Sequence, residues 1–472
     1  AIYGLSSVTG RLLNYLLVPL YTRYFLPEEY GIVTEMYAYV AFLVVVLTYG
    51  LETAFFRFSK KENDVTVVYS TALISLIFSS AIFVLLMFSG SSLIANCLGS
   101  GIEIRFVEWF AIIVGFDAIS SISFAKLREE EKAIRFAAIK LLGIITNIGL
   151  NIFFIVYKGP GLEIFGIVCT GGIEYIFIAN LISSFITIVL LLPEMLKVKF
   201  AFDRMLWKKM MTYALPLLLA GLAGMTNETV DRILLKQLLV NPEIAQHELG
   251  LYGAFYKLSI IMVLFIQTFR FAAEPFFFSQ YKQRNDRKVY ADVMKYFTIV
   301  MTVIFLSVTI FYSFIIDFLG PSYHDERGFF VVSILLLANL FLGIFFNLSI
   351  WYKLTEKTVF GAYLTIFGAI ITLALNFILI PKIGFEGSAW ATLACYFSMT
   401  VASYFLGKKH FPIPYQVEKI SLYLFSMLAI YFLIYHHYFN LGINSLLLLG
   451  FIIFVYILEK PKKTQNNESK SY

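Results

Sequence analysis

The sequence predicts an all-α integral membrane protein of about fourteen transmembrane helices, built as two parallel six-helix lobes with two further helices at the C-terminus. Three observations predict it. First, the 472-residue chain is 59% hydrophobic and 14% charged, whereas a soluble globular protein carries about 25% charged residues; mean hydropathy is +0.79. Second, the apolar residues come in runs of about 20, the length that crosses a bilayer as a helix. Third, the second half of the chain repeats the first.

The runs fall near 1–22, 34–56, 65–90, 104–125, 133–157, 162–192, 212–235, 250–274, 292–317, 328–350, 359–380, 387–406, 417–438 and 441–459. Period-2 alternation is absent and the runs are too long for barrel strands. The first run holds Arg11 and starts at Ala1. It reads as a span that stays in place, with a few residues expected before it and no cleavable signal peptide. Pro19 and Pro216 sit in the first span of each lobe, where a proline frees a carbonyl and permits bending. His436 and His437 end the thirteenth run and read as interfacial. Cys97, Cys169 and Cys395 are isolated, with no metal or redox spacing, so a disulfide framework is not expected. The tail 460–472 is polar and reads as disordered.

Direction follows from Lys and Arg. Seven alternate segments, including the C-terminal tail, hold twenty-five of these residues, and the intervening loops hold six: Arg23, Arg105, Lys158, Lys236, Arg327 and Lys382. The positive-inside rule places both termini in the cytoplasm, which accounts for the net charge of +6 without nucleic acid. The outer loops are short; the longest, 236–249, has 14 residues. A membrane polymerase or glycosyltransferase needs more room than this for its acceptor.

Shifted by 225 positions, 131–155 lies over 356–380 with eight identities in 25, among them Glu131/Glu356, Lys132/Lys357 and Asn151/Asn376. Apolar bias alone does not match Glu-Lys and Asn at fixed spacing. The earlier stretches 26–42 and 247–261 also correspond. The expected organisation is an N-lobe over 1–192, a basic amphipathic linker on the cytoplasmic surface over 193–211, a C-lobe over 212–406 and the added spans over 407–459. An even number of spans per lobe gives both lobes one orientation. Two such lobes with a seam at the midplane is a transporter plan.

The stretches "GRLLNYLLVPLYTRYFLPEEYG" (10–31), "GLETAFFRF" (50–58), "NETVDRILL" with "LGLYGAFYKLS" (227–259) and "LNFILIPKIGFEGSAWAT" (375–392) resemble polysaccharide transporters of the multidrug/oligosaccharidyl-lipid/polysaccharide exporter superfamily. The match is to Wzx-type flippases, with a more remote likeness to lipid II flippases and to multidrug and toxin extruders. The resemblance implies a MATE-like fold. It implies a non-enzymatic flippase that carries polyprenyl-diphosphate-linked oligosaccharide from the inner to the outer leaflet of the cytoplasmic membrane, for O-antigen, capsule or exopolysaccharide. Its implied partners are that lipid-linked oligosaccharide, membrane lipids, and the polymerase and chain-length machinery.

A diphosphate crossing hydrocarbon needs cations in a water-filled cavity. Arg11 matches the family's first-span arginine and lies one turn from Asn14. Asp231 and Arg232 match its Asp-Arg position. With Glu52, Lys140, Lys257 and Arg270 they are the candidate cavity residues. Snorkelling to an interface competes for Arg11 and Lys140. Self-pairing at i, i+4 competes for Arg270 with Glu274, and Glu228 is spaced to pair with Arg232. Asp117, Glu174 and Lys295 are further charges inside spans. No organic cofactor or metal is expected. A lone membrane carboxylate can bind H⁺ or Na⁺ and so couple transport to a gradient, and the residues leave both ions open. The competing readings are an H⁺/Na⁺-coupled multidrug antiporter of the same fold and a membrane polymerase or glycosyltransferase.

Overall fold

In a computed structural model, the described residues are 2–62, 64–99, 101–158, 162–164, 167–169, 171–197, 201–283, 286–437 and 440–460. The predicted tail lies outside them from 461 on, as does the side chain of His437. In the first half the helices are α1 (Ile2–Tyr15), α2 (Val18–Tyr24), α3 (Pro27–Thr48), α4 (Leu51–Ser59), α5 (Val65–Ser89), α6 (Ser91–Leu98), α7 (Ile104–Glu129), α8 (Ala133–Ile152) and α9 (Glu174–Leu196). They continue as α10 (Arg204–Leu238), α11 (Pro242–Gln283), α12 (Arg287–Ile310), α13 (Tyr312–Ile316), α14 (Gly328–Leu348), α15 (Ile350–Leu354), α16 (Val359–Ile383), α17 (Phe385–His410), α18 (Val417–His437) and α19 (Leu441–Glu459). Aspartate or asparagine caps start four of them: Asp64, Asp203, Asp286 and Asn440 each accept a backbone N–H from the first turn, which satisfies donors the helix cannot.

Among the described residues, twelve helical segments are long and apolar enough to cross a membrane. The predicted runs 1–22 and 212–235 are helical but fall outside those twelve. The first is split into α1 and α2, with Pro19 in the first turn of α2. The second, α10, carries Glu228, Asp231, Arg232 and Lys236. Large side chains such as Phe78, Leu85, Leu446 and Tyr456 are exposed, as suits surfaces solvated by lipid.

Three expectations are corrected. The sixth run does not begin at 162: residues 162–164 and 167–169 form a two-stranded antiparallel hairpin that pairs Leu162 with Cys169. Short β-branched runs bounded by Gly and Pro favour a hairpin, and the helix starts only at Glu174. The predicted outer loop 236–249 is nearly all helix. α10 runs to Leu238 and α11 starts at Pro242, with the Asn241 carbonyl accepting from Ala245. Of the stretch 193–211, residues 193–196 end α9 and 204–211 begin α10, which is continuous through 204–238. Trp207 anchors this part of α10 on α5 by donating to Ser75 at 2.9 Å.

The sequence repeat has structural counterparts. Glu131 and Glu356 both adopt left-handed backbone, each with φ 57°, in the turns after α7 and α15. Asn151 and Asn376 are both fully buried, and each amide donates to the carbonyl four residues back, on Asn147 at 2.8 Å and on Thr372 at 2.7 Å. The same polar residue recurs because the same buried bond recurs.

The two halves meet where α3 crosses α11, and glycine makes the approach possible. A Cβ on Gly250 would strike the Pro27 carbonyl, and one on Gly31 would strike the Gln246 carbonyl. Backbone cannot yield as a flexible side chain can. Gly250→Ala is therefore expected to lower stability by about 1–3 kcal/mol, read as a fall in the melting temperature of the purified protein. Gly450→Ala in α19, where an added Cβ meets nothing within 4 Å, is the control and should melt no lower.

Candidate functional site

Two charge clusters lie within the bundle. The first is assembled by α1, α4, α7 and α8. Arg11 and Asn14 are exposed on α1, and their side chains have no partner among the described residues. Glu52, in the first turn of α4, accepts a hydrogen bond from Arg128 at the end of α7. The Arg128 guanidinium also lies over Phe56, at 5.0 Å, and Phe136, at 5.9 Å. Lys140 also reaches this group, 5.4 Å from the Phe136 ring, within the field of Arg11, Arg128 and Glu52. Among the described charged groups here, three cations stand with one carboxylate, a local excess of two positive charges. Arg128 and Glu52 side chains keep 32% and 41% of their surface exposed, so neither is sealed inside the protein.

The second cluster lies between α10 and α11. Asp231 is 2% exposed. Its carboxylate accepts from Tyr252 Oη at 2.5 Å and from the Arg232 backbone N–H at 2.9 Å. Arg232 lies 4.1 Å over the Tyr256 ring and donates to the Glu228 carbonyl at 2.9 Å. Spacing led to the expectation of a Glu228–Arg232 side-chain pair with Asp231 left over. Instead Asp231 is held by Tyr252 and the Arg232 backbone N–H, with the Arg232 guanidinium 3.9 Å from its Oδ1, and Arg232 also stacks on an aromatic ring. The candidate cavity residues Asp231 and Arg232 lie in a packed interior. Lys257 is half-buried, in the field of Arg232 and Glu228.

Arg270 stands apart from both clusters. It pairs with Glu274 at 3.5 Å and lies 4.0 Å over Phe346, while Glu274 also holds Lys353 at 2.6 Å. That is the i, i+4 pairing its spacing offers.

Sequence reasoning missed the polar contacts where the halves meet. Lys236 at the end of α10 binds Glu35 of α3 at 2.7 Å and the Leu98 carbonyl at 2.6 Å. Glu28 faces His247 at 2.8 Å, Tyr323 donates to the Phe25 carbonyl at 3.0 Å, and Gly320 N–H donates to Thr22 Oγ1 at 3.2 Å. All these contacts lie at the bundle end away from the Lys-rich loops. Arg128 is one of the twenty-five cations of those Lys-rich segments and not one of the candidate cavity residues. A lone acid in an apolar run was the available signal for Glu35, but its partner lies 201 positions away.

An all-helical multi-pass membrane bundle with internally repeated halves and charge clusters among its helices defines a transporter-type fold. The chain belongs to the polysaccharide biosynthesis protein family, which matches residues 1–279. Its structure is similar to that of the lipid II flippase MurJ in an inward closed conformation, with a TM-score of 0.74 at 17% identity over 97% of this chain and 98% of that one. It is also similar to an inward-facing multidrug resistance MATE family transporter of the MOP superfamily, with a TM-score of 0.69 at 15% identity over 86% and 94% of the two chains. An outward-facing MATE conformation overlays with a TM-score of 0.60 at 14% identity over the same shares. At these identities the likeness is one of fold. No curated protein matches the chain.

Proposed function

We propose that the protein is a flippase that moves polyprenyl-diphosphate-linked oligosaccharide repeat units from the inner to the outer leaflet of the cytoplasmic membrane by alternating access, with no chemistry on the substrate. The observation that carries this reading is the excess of two positive charges in the group of Arg11, Arg128, Lys140 and Glu52. A diphosphate diester bears about two negative charges and needs its hydration replaced by charge-assisted donors. Arg128 can grip it in fork geometry and Lys140 acts as a point charge.

In this reading α1–α2 and α10 join the twelve apolar segments as the first and seventh of fourteen spans. Both termini are cytoplasmic, and the lobes are 1–192 and 212–406. The Lys-rich end is then the inner face, so Arg11, Arg128 and Lys140 stand at inner-leaflet depth, where the substrate enters. The contacts of Glu35, Lys236, Glu28 and His247 close the outer face. The better overlay on inward than on outward forms supports this assignment. Asn14, Asp231, Arg232, Lys257 and Arg270 are the secondary candidates. The product would pass to a polymerase with its chain-length machinery.

The test is leaflet sidedness. The protein is depleted and intact spheroplasts are probed with an impermeant lectin or glycosidase. Completed lipid-linked oligosaccharide should accumulate out of the probe's reach. Repeats that reach the outer face but fail to lengthen would instead indicate a polymerase. Unchanged glycolipid with raised drug sensitivity would indicate an antiporter.

A further inference from the structure

The halves also meet along a seam between α3–α4 of the first and α10 of the second, and the two ends of this seam differ. Toward the Lys-rich end it is sealed. A Cβ on Gly50 would stand 3.0 Å from the Ala214 carbonyl oxygen. Arg57 lies 4.1 Å over the Tyr213 ring, and Phe58 packs on the same ring. Midway, a Cβ on Gly221 would stand 3.1 Å from Val45. Toward the opposite end the seam widens into a groove of about 340 Å³, open along one side.

Met36, Tyr39, Val40 and Leu43 of α3 form one wall, at the i, i+3, i+4 and i+7 spacing of a single helix face, over about 10 Å. Val230 and Ile233 of α10 form another, and α5, α6 and α7 complete the lining. The groove borders the Lys236 contact. Met36 follows Glu35 in the chain, Ile233 is one turn from Lys236, and Leu98, whose carbonyl Lys236 holds, is itself part of the lining.

The lining decides the chemistry of the occupant. Among the described residues it carries no charged side chain. Its one hydroxyl, on Tyr39, is hydrogen-bonded to Glu35 and Gln237. A sugar, a phosphate or an ammonium would leave its polar atoms unpaired there, and water has too few partners to fill such a site. A hydrocarbon chain loses nothing. Since hydrocarbon also surrounds the chain outside the groove, what holds it is close packing, to which the flexible side chains of Met36 and Met87 adapt.

The seam decides which chain. One from the leaflet at the Lys-rich end would have to pass the contacts at Tyr213, Gly50 and Gly221. One from the opposite leaflet reaches the groove directly. We propose that the groove binds one acyl chain of a phospholipid from that opposite leaflet, and that the bound chain favours the form in which the halves are joined at this end. The chain needs both walls, and Glu35 and Lys236 hold α3 to α10 beside it at 2.7 Å. Parting the two helices withdraws Val230 and Ile233. The lipid therefore binds the joined form more tightly, and a ligand shifts an equilibrium by that difference in affinity. In the orientation proposed above this is the outer leaflet. The site itself does not rest on the flippase reading.

The test is photolabelling. Purified full-length protein is placed in nanodiscs that contain a phospholipid with a mid-chain diazirine, irradiated, and mapped by peptide mass spectrometry. Insertion should concentrate on the α3 and α10 walls, above the level at Leu446 and Ile453, which are exposed on α19. Val230→Trp fills the groove from one wall and Val40→Phe from the other. Each should lower the groove label about tenfold and leave the α19 label unchanged, with a melting temperature recorded to show that the variant is folded. Labelling that simply follows exposed surface, or that survives both substitutions in folded protein, overturns the site. Lys236→Met lies outside the lining but releases α10 from α3, and it should also lower the groove label. An unchanged label there overturns the link to conformation. In intact spheroplasts given the same lipid in the outer leaflet alone, by cyclodextrin exchange, the groove should be labelled, and its absence from the labelled peptides overturns the leaflet assignment. Oligosaccharide sidedness does not enter these readouts, so a failure of the flippase reading leaves them standing.

Discussion

Lys236→Met is expected to lower stability by about 3–5 kcal/mol, the cost of leaving a buried charge without its partner. The Glu35 side chain is 1% exposed and that of Lys236 10%, so neither solvent nor salt screens the loss. Lys236 also donates to the Leu98 carbonyl, and methionine abandons that acceptor too. The residue thus ties three segments, α3, α10 and the end of α6. The double variant Glu35→Gln/Lys236→Met should recover most of the loss, since removing both charges also removes the desolvation they require. A thermal-unfolding double-mutant cycle in detergent measures this directly. A cycle with no coupling between the two positions would mean that α3 and α10 do not meet as described. Because the contact joins the halves at one end only, the single variant should also shift the population toward forms open at that end.

The legible part of this fold is what hydrocarbon solvation dictates. Runs of about twenty apolar residues are read easily because lipid rewards nothing else. The failures lie where another rule competes. At 162–169 the apolar run is real, but Gly and Pro on its flanks and its β-branched residues turn it into a hairpin. At 236–249 polar residues imitate a loop, yet Pro242 and an Asn241 cap make a helix start. Helical spacing likewise finds only partners on one helix. It found Arg270 with Glu274. It paired Glu228 with Arg232 because it could not see Tyr252 and Tyr256 of α11 competing for Asp231 and Arg232. Glu35 with Lys236 and Glu52 with Arg128 join residues 201 and 76 positions apart, and no periodicity connects them. The repeat is the exception: Asn151 and Asn376 were visible in advance because one buried bond is made twice.

The double variant Arg11→Ala/Lys140→Ala is expected to reduce flipping at least about 100-fold, because each hydrogen bond from a charged donor contributes about 1.5–3 kcal/mol. Arg128→Ala should fall nearly as far, and Arg128→Lys should recover only part, since the fork geometry is lost while the charge remains. Glu52→Gln raises the local excess from two positive charges to three. It should strengthen binding and slow release, with a smaller loss of turnover. These effects should come without unfolding. The Arg128 and Glu52 side chains are 32% and 41% exposed, and ion pairs that face solvent contribute about 0–1 kcal/mol. The melting temperature should therefore hold in these variants while sidedness of the lipid-linked oligosaccharide collapses, the reverse of what Lys236→Met produces in stability. If loss of activity tracked loss of stability across Arg11, Arg128 and Lys140, the group would be a structural network. If activity fell at constant stability, the cations act on something that is not part of the protein, and the charge excess identifies it as an anion.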